Sequence, residues 1–138
     1  MSDNIFIDTN VIVYARVRND AVKHEKAKSL FITHAKDNIF ISTQVLSESY
    51  NAIRKNGVGD VDIYKTIDEC IAKMNVLPVD VDTIRQCFKI KDRYGFSYWD
   101  SLILSSALLS DCSVVYSEDM QHEQVIKSKV KIINPFID

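Results

Sequence analysis

Short apolar runs alternate along the chain with longer stretches in which apolar residues recur at helical spacing. The apolar runs are typical of buried strands, and they occupy residues 5–7, 39–41, 76–77, 114–116 and 130–133. Amphipathic helices are predicted between them, because apolar residues there recur every three or four positions. These helices cover about residues 10–17, 21–35, 44–55, 61–74, 83–94, 97–109 and 120–127.

Strands that alternate with helices favour right-handed crossovers and a mainly parallel sheet with helices on both faces. The nearly continuous apolar character of the strands supports this arrangement, since a strand with one wet face would alternate apolar with polar residues. We therefore predict an α/β fold, with three layers (α/β/α) and a central, mainly parallel, five-stranded sheet. A ligand crevice is expected beyond the carboxyl ends of the strands.

The composition narrows the class of protein. A length of 138 residues suits a single domain, residues 1–138, and 46% hydrophobic residues suffice for a sizeable core. No apolar run has the roughly 18 residues of a membrane span, and the first residues lack the features of a secretory signal, so we expect a cytoplasmic protein. The three cysteines lie far apart, which disfavours a disulfide framework. A net charge of −2 argues against a protein that coats nucleic acid through positive charge.

Four acidic residues stand where this topology would bring them to one edge of the sheet. Asp8 directly follows the first strand, and Glu48 lies near the start of the helix after the second strand. Asp100 opens another helix, and Asp119 follows the fourth strand. Asp8, Asp100 and Asp119 also suit helix N-termini. Glu48 could instead reach solvent from the margin of an apolar stripe. Glu118 is an alternative to Asp119, although the shorter Asp119 suits a turn better.

Carboxylates crowded at one edge repel one another, and each is costly to remove from water without a partner. A bound divalent cation would remove that conflict. Ligands that offer only oxygen select Mg²⁺ or Mn²⁺ rather than zinc. The four acids therefore indicate a metal-binding cluster. Where two such ions bind together, they stand ~3.5–4 Å apart and clamp the attacking and leaving oxygens of an in-line displacement.

Four segments of the chain resemble the PIN domain family, in particular its VapC-type toxins. In chain order they read Phe-Ile-Asp-Thr-Asn-Val (6–11), Leu-Ser-Glu (46–48), Tyr-Trp-Asp-Ser-Leu-Ile (98–103) and Tyr-Ser-Glu-Asp (116–119). The resemblance covers essentially the whole chain. It implies a Mg²⁺- or Mn²⁺-dependent endoribonuclease, in which metal-activated water cleaves RNA and leaves 5′-phosphate and 3′-hydroxyl ends.

The resemblance also assigns roles to individual positions. The residues that match the family's catalytic and metal-binding acids are Asp8, Glu48, Asp100 and Asp119. The residues that match supporting polar positions are Thr9, Asn10 and Ser117. The resemblance further implies the toxin of a type II toxin–antitoxin pair, which forms a homodimer and is neutralised by a small antitoxin protein.

Further residues and two rival functions complete the sequence-based predictions. Arg16 and Arg18 follow the first predicted helix near the expected active edge, and we predict that they bind RNA. Trp99 is interpreted as a core or interface residue. One rival is a PIN-like module that binds RNA or protein without catalysis. The other is a Mg²⁺-dependent phosphatase, but a phosphatase of the haloacid-dehalogenase kind would have a second acid at position 10, where this chain has Asn10.

Overall fold

The computed structural model describes residues 2–137, which contain six strands and six helices. The strands are β1 (Asn4–Ile7), β2 (Asn38–Ser42), β3 (Asn75–Leu77), β4 (Val114–Tyr116), β5 (Val125–Ile126) and β6 (Val130–Ile133). The helices are α1 (Thr9–Arg16), α2 (Ala21–Thr33), α3 (Thr43–Lys55), α4 (Asp60–Lys73), α5 (Val81–Tyr94) and α6 (Tyr98–Leu109). Within this part of the chain, no helix combines the length and apolar character needed to cross a bilayer.

All six strands belong to one sheet, in the order β3-β2-β1-β4-β6-β5. Neighbouring strands are parallel throughout, except that β5 runs antiparallel to β6. The prediction of an α/β fold with a mainly parallel central sheet is therefore confirmed. The structure adds β5, a two-residue edge strand, to the five predicted strands.

The strand β1 lies at the centre of the sheet between β2 and β4. Its residues Ile5, Phe6 and Ile7 are at most 1% exposed, as expected for a strand that helices cover on both faces. Because the chain leaves β1 at its carboxyl end, the next residue, Asp8, enters the edge where a ligand crevice forms in parallel sheets. Its backbone N–H continues the ladder and donates to the Tyr116 carbonyl at 3.0 Å.

The helices form two contacting groups. In one group α1 contacts α2 and α3, and α3 contacts α4, whereas α5 and α6 contact each other in the second group. Five helices begin after an Asp or Ser whose side chain accepts a hydrogen bond from the first turn, and these caps are Asp8, Asp20, Ser42, Asp80 and Ser97. Such caps satisfy backbone donors that the helix itself leaves unpaired.

The predicted helix over residues 120–127 is wrong. This segment contains β5 and irregular turns, with positive φ at Glu123 and Lys127. Its buried apolar residues, Met120 and Ile126, are six positions apart, about 240° around a helix, so one helical face could not bury both. Ile126 instead pairs with Val130 of β6, and the pairing of this segment with β6 also satisfies the backbone, since the Ile132 N–H donates to the Gln124 carbonyl at 2.8 Å.

Candidate active site

One cavity of about 460 Å³ collects the four predicted acids at the carboxyl edge of the sheet. Each comes from a different part of the fold. Asp8 follows β1, Glu48 lies in α3, Asp100 lies in the first turn of α6, and Asp119 follows β4. Five of the six strands run in the same direction, and that shared direction brings these distant segments together.

Asp8 serves both as the N-cap of α1 and as a wall of the cavity. It is 5% exposed, and its carboxylate accepts hydrogen bonds from the Thr9 N–H and from the Ser117 hydroxyl, both at 2.7 Å. Burial, with smaller contributions from the negative charges of Glu48 and Asp100, raises the pKa of Asp8 to about 6 in spite of these two hydrogen bonds. A nearby cation would therefore stabilise the ionised form of a carboxylate in this position.

Glu48 is held by two neutral donors. The Thr9 hydroxyl donates to its Oε1 at 2.9 Å, and the Gln44 amide Nε2 faces its Oε2 at 3.4 Å. The same amide nitrogen donates to the Trp99 carbonyl at 3.1 Å. Both partners of this nitrogen are acceptors, which fixes the orientation of the Gln44 amide. Gln44 thus connects the helix that carries Glu48 with the helix that carries Asp100.

Asp100 is half-buried at the start of α6, and its backbone N–H donates to the N-cap Ser97 at 3.1 Å. Burial raises the pKa of the Asp100 carboxyl, and the charges of Asp119 and Glu48 act in the same direction, whereas a hydrogen bond with Ser97 opposes them. The mutual repulsion between these acids is the conflict that the sequence led us to expect. The capping function of this segment and the position of Asp100 in the cavity coexist.

Asp119 and Glu118 are adjacent in sequence but have different surroundings. Asp119 lines the cavity and accepts a hydrogen bond from Asn10 Nδ2 at 3.0 Å. The Glu118 carboxylate instead contacts Lys23 Nζ at 2.5 Å and the Tyr14 hydroxyl at 3.1 Å. Because Lys23 already neutralises Glu118, the geometry favours Asp119 as the fourth acid of the cluster.

The three predicted supporting residues each donate to a different acid. Thr9 donates to Glu48, Asn10 to Asp119 and Ser117 to Asp8. The hydroxyl and amide donors orient the carboxylates without removing their charge. Among residues 2–137, no lysine or arginine forms an ion pair with any of the four acids.

The structure places the predicted RNA-binding arginines outside the residues that line this cavity. Arg16 forms an ion pair with Glu69 of α4 at 2.6 Å, and Arg18 is exposed. The cavity is lined instead by Lys55, at the end of α3, which the sequence analysis missed. A signal was present, because Gln44 and Lys55 stand four residues before and seven residues after Glu48, on the same helical face.

The donor set fits a hard divalent cation. The acids offer only oxygen, which suits Mg²⁺ or Mn²⁺. Burial, and to a smaller extent the charges of neighbouring acids, raise the pKa values of Asp8 and Asp100, and a bound cation would favour their ionised forms. Within residues 2–137, however, no three side chains of His, Cys, Asp or Glu are close enough together to enclose an ion. The carboxylates thus surround a common cavity without converging on one point.

Comparison with known proteins identifies the family. The family model described as PIN domain matches residues 5–127. The chain therefore belongs to the PIN domain family, as its sequence motifs predicted. No curated protein matches it.

Solved structures share the fold at low sequence identity. VapC20 of Mycobacterium tuberculosis, a toxin that cleaves the sarcin–ricin loop, is 21% identical over 83% of this chain and 89% of its own, with a TM-score of 0.68. A toxin–antitoxin complex from Klebsiella pneumoniae is 15% identical over 95% and 97% of the two chains, with a TM-score of 0.71. DNA-bound VapBC from Salmonella typhimurium is 17% identical over 96% and 98%, with a TM-score of 0.68.

Proposed function

We propose that this chain is a single PIN domain that acts as a metal-dependent endoribonuclease. The observation that carries the proposal is the cavity itself. Four carboxylates from separate segments line it, neutral donors hold three of them, and no cation within residues 2–137 pairs with any. The family and the VapC-like fold agree with this function.

The proposed roles follow from the positions of the side chains. Asp8, Glu48, Asp100 and Asp119 would hold Mg²⁺ or Mn²⁺, and the metal would supply hydroxide from bound water near neutral pH and offset charge at the phosphorus. Thr9, Asn10 and Ser117 keep the carboxylates in place. Lys55, the cationic residue that lines the cavity, would attract the RNA phosphate. A fixed arrangement of this kind lowers the activation free energy of cleavage, because it positions the reacting groups and stabilises the charge that develops in the transition state.

The cellular role that we propose is that of a toxin of a type II toxin–antitoxin pair, in the cytoplasm, as a homodimer. The toxin role and the antitoxin partner are supported by structures of similar fold, which include a toxin–antitoxin complex and a DNA-bound VapBC. The partners would then be an RNA substrate and a small antitoxin protein. Co-expression with the product of a short adjacent gene would test this role, because the partner should co-purify with the chain and suppress its cleavage of RNA.

An RNA cleavage assay tests the proposed activity. Purified wild-type protein should cleave RNA with Mg²⁺ or Mn²⁺ and lose that activity in EDTA. Asp8→Asn and Asp119→Asn should each reduce the rate by about a hundredfold or more, since ligand loss exceeds the 10–100-fold cost of disturbing an outer-shell residue. Asn is also a good helix N-cap, so Asp8→Asn should remain folded by circular dichroism.

Glu118→Gln is the matched control for Asp119→Asn. It removes an equivalent negative charge from the neighbouring residue, which lies outside the described lining of the cavity. It should cleave RNA within about threefold of wild type, with a stability cost of about 1 kcal/mol or less for a partly exposed ion pair. Cleavage that persists in EDTA, or that is equal in wild type and Asp8→Asn, would reject the nuclease proposal. If the protein neither cleaves RNA nor binds Mn²⁺ in calorimetry, the result would favour the rival function, a PIN-like module that binds RNA or protein without catalysis.

A further inference from the structure

A second cavity, of about 510 Å³, opens beside the first. The residues that line both cavities are Gln44, Glu48, Asn51 and Trp99. The two cavities therefore form one continuous depression, in which Asp8, Asp100 and Asp119 line only the first cavity and Glu48 lines both. We call the second cavity the Trp99 groove, and its remaining lining includes Ser47 on α3 and Leu102 on α6.

Trp99 presents a large aromatic surface at the junction of the two cavities. Trp99 is 60% exposed, so of the two predicted alternatives, core or interface, the core one is wrong. The backbone beneath it is well held, because the Trp99 carbonyl accepts a hydrogen bond from the Gln44 amide and Ser97 caps the helix two residues earlier. The Tyr98 ring packs edge-on against the indole at 5.0 Å. An exposed aromatic on a fixed support, beside a cavity, is a typical binding feature.

The lining of the Trp99 groove favours a base over a phosphate. The hydroxyl of Ser47 and the amide of Asn51 can hydrogen-bond to the edge of a base, and Leu102 provides apolar contact. No lysine, arginine or histidine lines this groove in the part of the chain described, whereas Lys55 lines the neighbouring cavity. Aromatic stacking combined with polar groups at the base edge is how proteins bind unpaired nucleotides.

We propose that the Trp99 groove binds one nucleobase of a single-stranded RNA segment, next to the phosphodiester held by the acids, with the indole of Trp99 stacked on the base. The proposal rests on the proposed nuclease function. It identifies an unpaired region, such as a loop, as the part of the RNA that is recognised, since a base inside a duplex has no free face for Trp99. A protein partner would need a wider apolar surface than this partly polar groove.

Fluorescence can test the proposal directly, because Trp99 is the only tryptophan in the sequence. The Asp8→Asn variant, which should bind without cleaving, is titrated with a twelve-residue oligoadenylate in Mg²⁺ buffer. Saturable quenching of the tryptophan emission is expected, at the same midpoint as the anisotropy change of a labelled oligoadenylate. Added to that variant, Trp99→Leu should weaken binding roughly five- to hundredfold, the range for loss of one base–aromatic stack, and Trp99→Phe should retain most of it.

Phe88→Leu is the matched control, because Phe88 is 52% exposed but lines neither of these two cavities. It should leave the affinity unchanged. In the otherwise wild-type enzyme, Trp99→Leu should raise the KM for RNA and change kcat by no more than about threefold, as for loss of uniform binding.

Three results would overturn the proposal. One is oligoadenylate binding without any change in tryptophan emission, and a second is equal loss of affinity in Trp99→Leu and Phe88→Leu. The third is a blue shift that depends on protein concentration in the absence of RNA, which would assign the groove to contact between two copies of the chain. Failure of the nuclease proposal is distinguishable, because it appears as absent cleavage by wild type, whatever the emission shows.

Discussion

The Asp8 carboxylate is the most buried of the four acids, and its titration should be visible in the stability of the metal-free protein. Its pKa is about 6 in the folded state, compared with about 3.9 in an unfolded chain. Between those values the unfolded chain releases the proton while the folded protein keeps it. Ionisation of Asp8 therefore lowers the free energy of unfolding as the pH rises from about 4 to about 6.

Asp8→Asn removes this penalty. In EDTA at pH 7.5 we expect the variant to exceed wild type in free energy of unfolding by on the order of 2 kcal/mol, since a pKa difference of about two corresponds to nearly 3 kcal/mol. The difference should shrink to a few tenths of a kcal/mol near pH 4 and vanish below about pH 3, where Asp8 is protonated in both states. Urea unfolding at a series of pH values measures it.

Asp37 provides a control of opposite sign. The Asp3 N–H and then His34 lower the pKa of Asp37, so Asp37→Asn should destabilise the protein at neutral pH, with the effect fading below its lowered pKa. If Asp8→Asn is instead less stable than wild type at pH 7.5, its hydrogen bonds with Thr9 and Ser117 outweigh the cost of the buried charge.

At the scale of secondary-structure elements, Gln44 fixes α3 relative to α6. Its amide reaches both Glu48 and the Trp99 carbonyl, so its loss should change the spacing between Glu48 and Asp100. Gln44→Met keeps the length of the side chain and removes both hydrogen bonds. We expect Mn²⁺ affinity by calorimetry and the rate of RNA cleavage to fall together, by roughly 10–100-fold, as for other residues that orient metal ligands.

Ser49→Ala is the control for Gln44→Met. Ser49 is also a buried polar residue of α3, and its hydroxyl has no hydrogen-bond partner within the described residues. Removing that hydroxyl should be neutral or slightly stabilising, with metal affinity and cleavage unchanged. Equal losses in both variants would mean that α3 tolerates no change in packing, and Gln44 would then have no specific positioning role.

The sequence predicted most elements because local chemistry determines them. Apolar residues at helical spacing mark the helices, and apolar runs mark the central strands. The segment 120–127 was mistaken for a helix because the pairing that shapes it, between Gln124 and Ile132, is not local. The four acids were predictable from topology, whereas the exposure of Trp99 depends on which neighbours cover one side chain, and a linear pattern does not contain that information.

At the scale of the whole molecule, the charge distribution favours attraction of RNA by a few local cations over attraction by a broad basic surface. The chain has 17 Lys and Arg against 19 Asp and Glu, for a net charge of −2. Lys55 is the cationic residue that lines the carboxylate cavity, whereas Arg16 is paired with Glu69. Few phosphates can therefore be neutralised at once, and few counterions are released when RNA binds.

The salt dependence of RNA binding should accordingly be shallow. For a single strand, each neutralised phosphate contributes about 0.7 to the slope of log K against log salt, so one or two contacts predict a slope of magnitude below about 2. Anisotropy titrations of oligoadenylate against Asp8→Asn in ~50–300 mM KCl measure this slope. Lys55→Gln should reduce it by about 0.7, whereas Lys65→Gln on the exposed side of α4 should not. A slope steeper than about 4, or one insensitive to Lys55, would locate the RNA on a different and more basic surface, because the measured slope counts phosphate contacts wherever they occur.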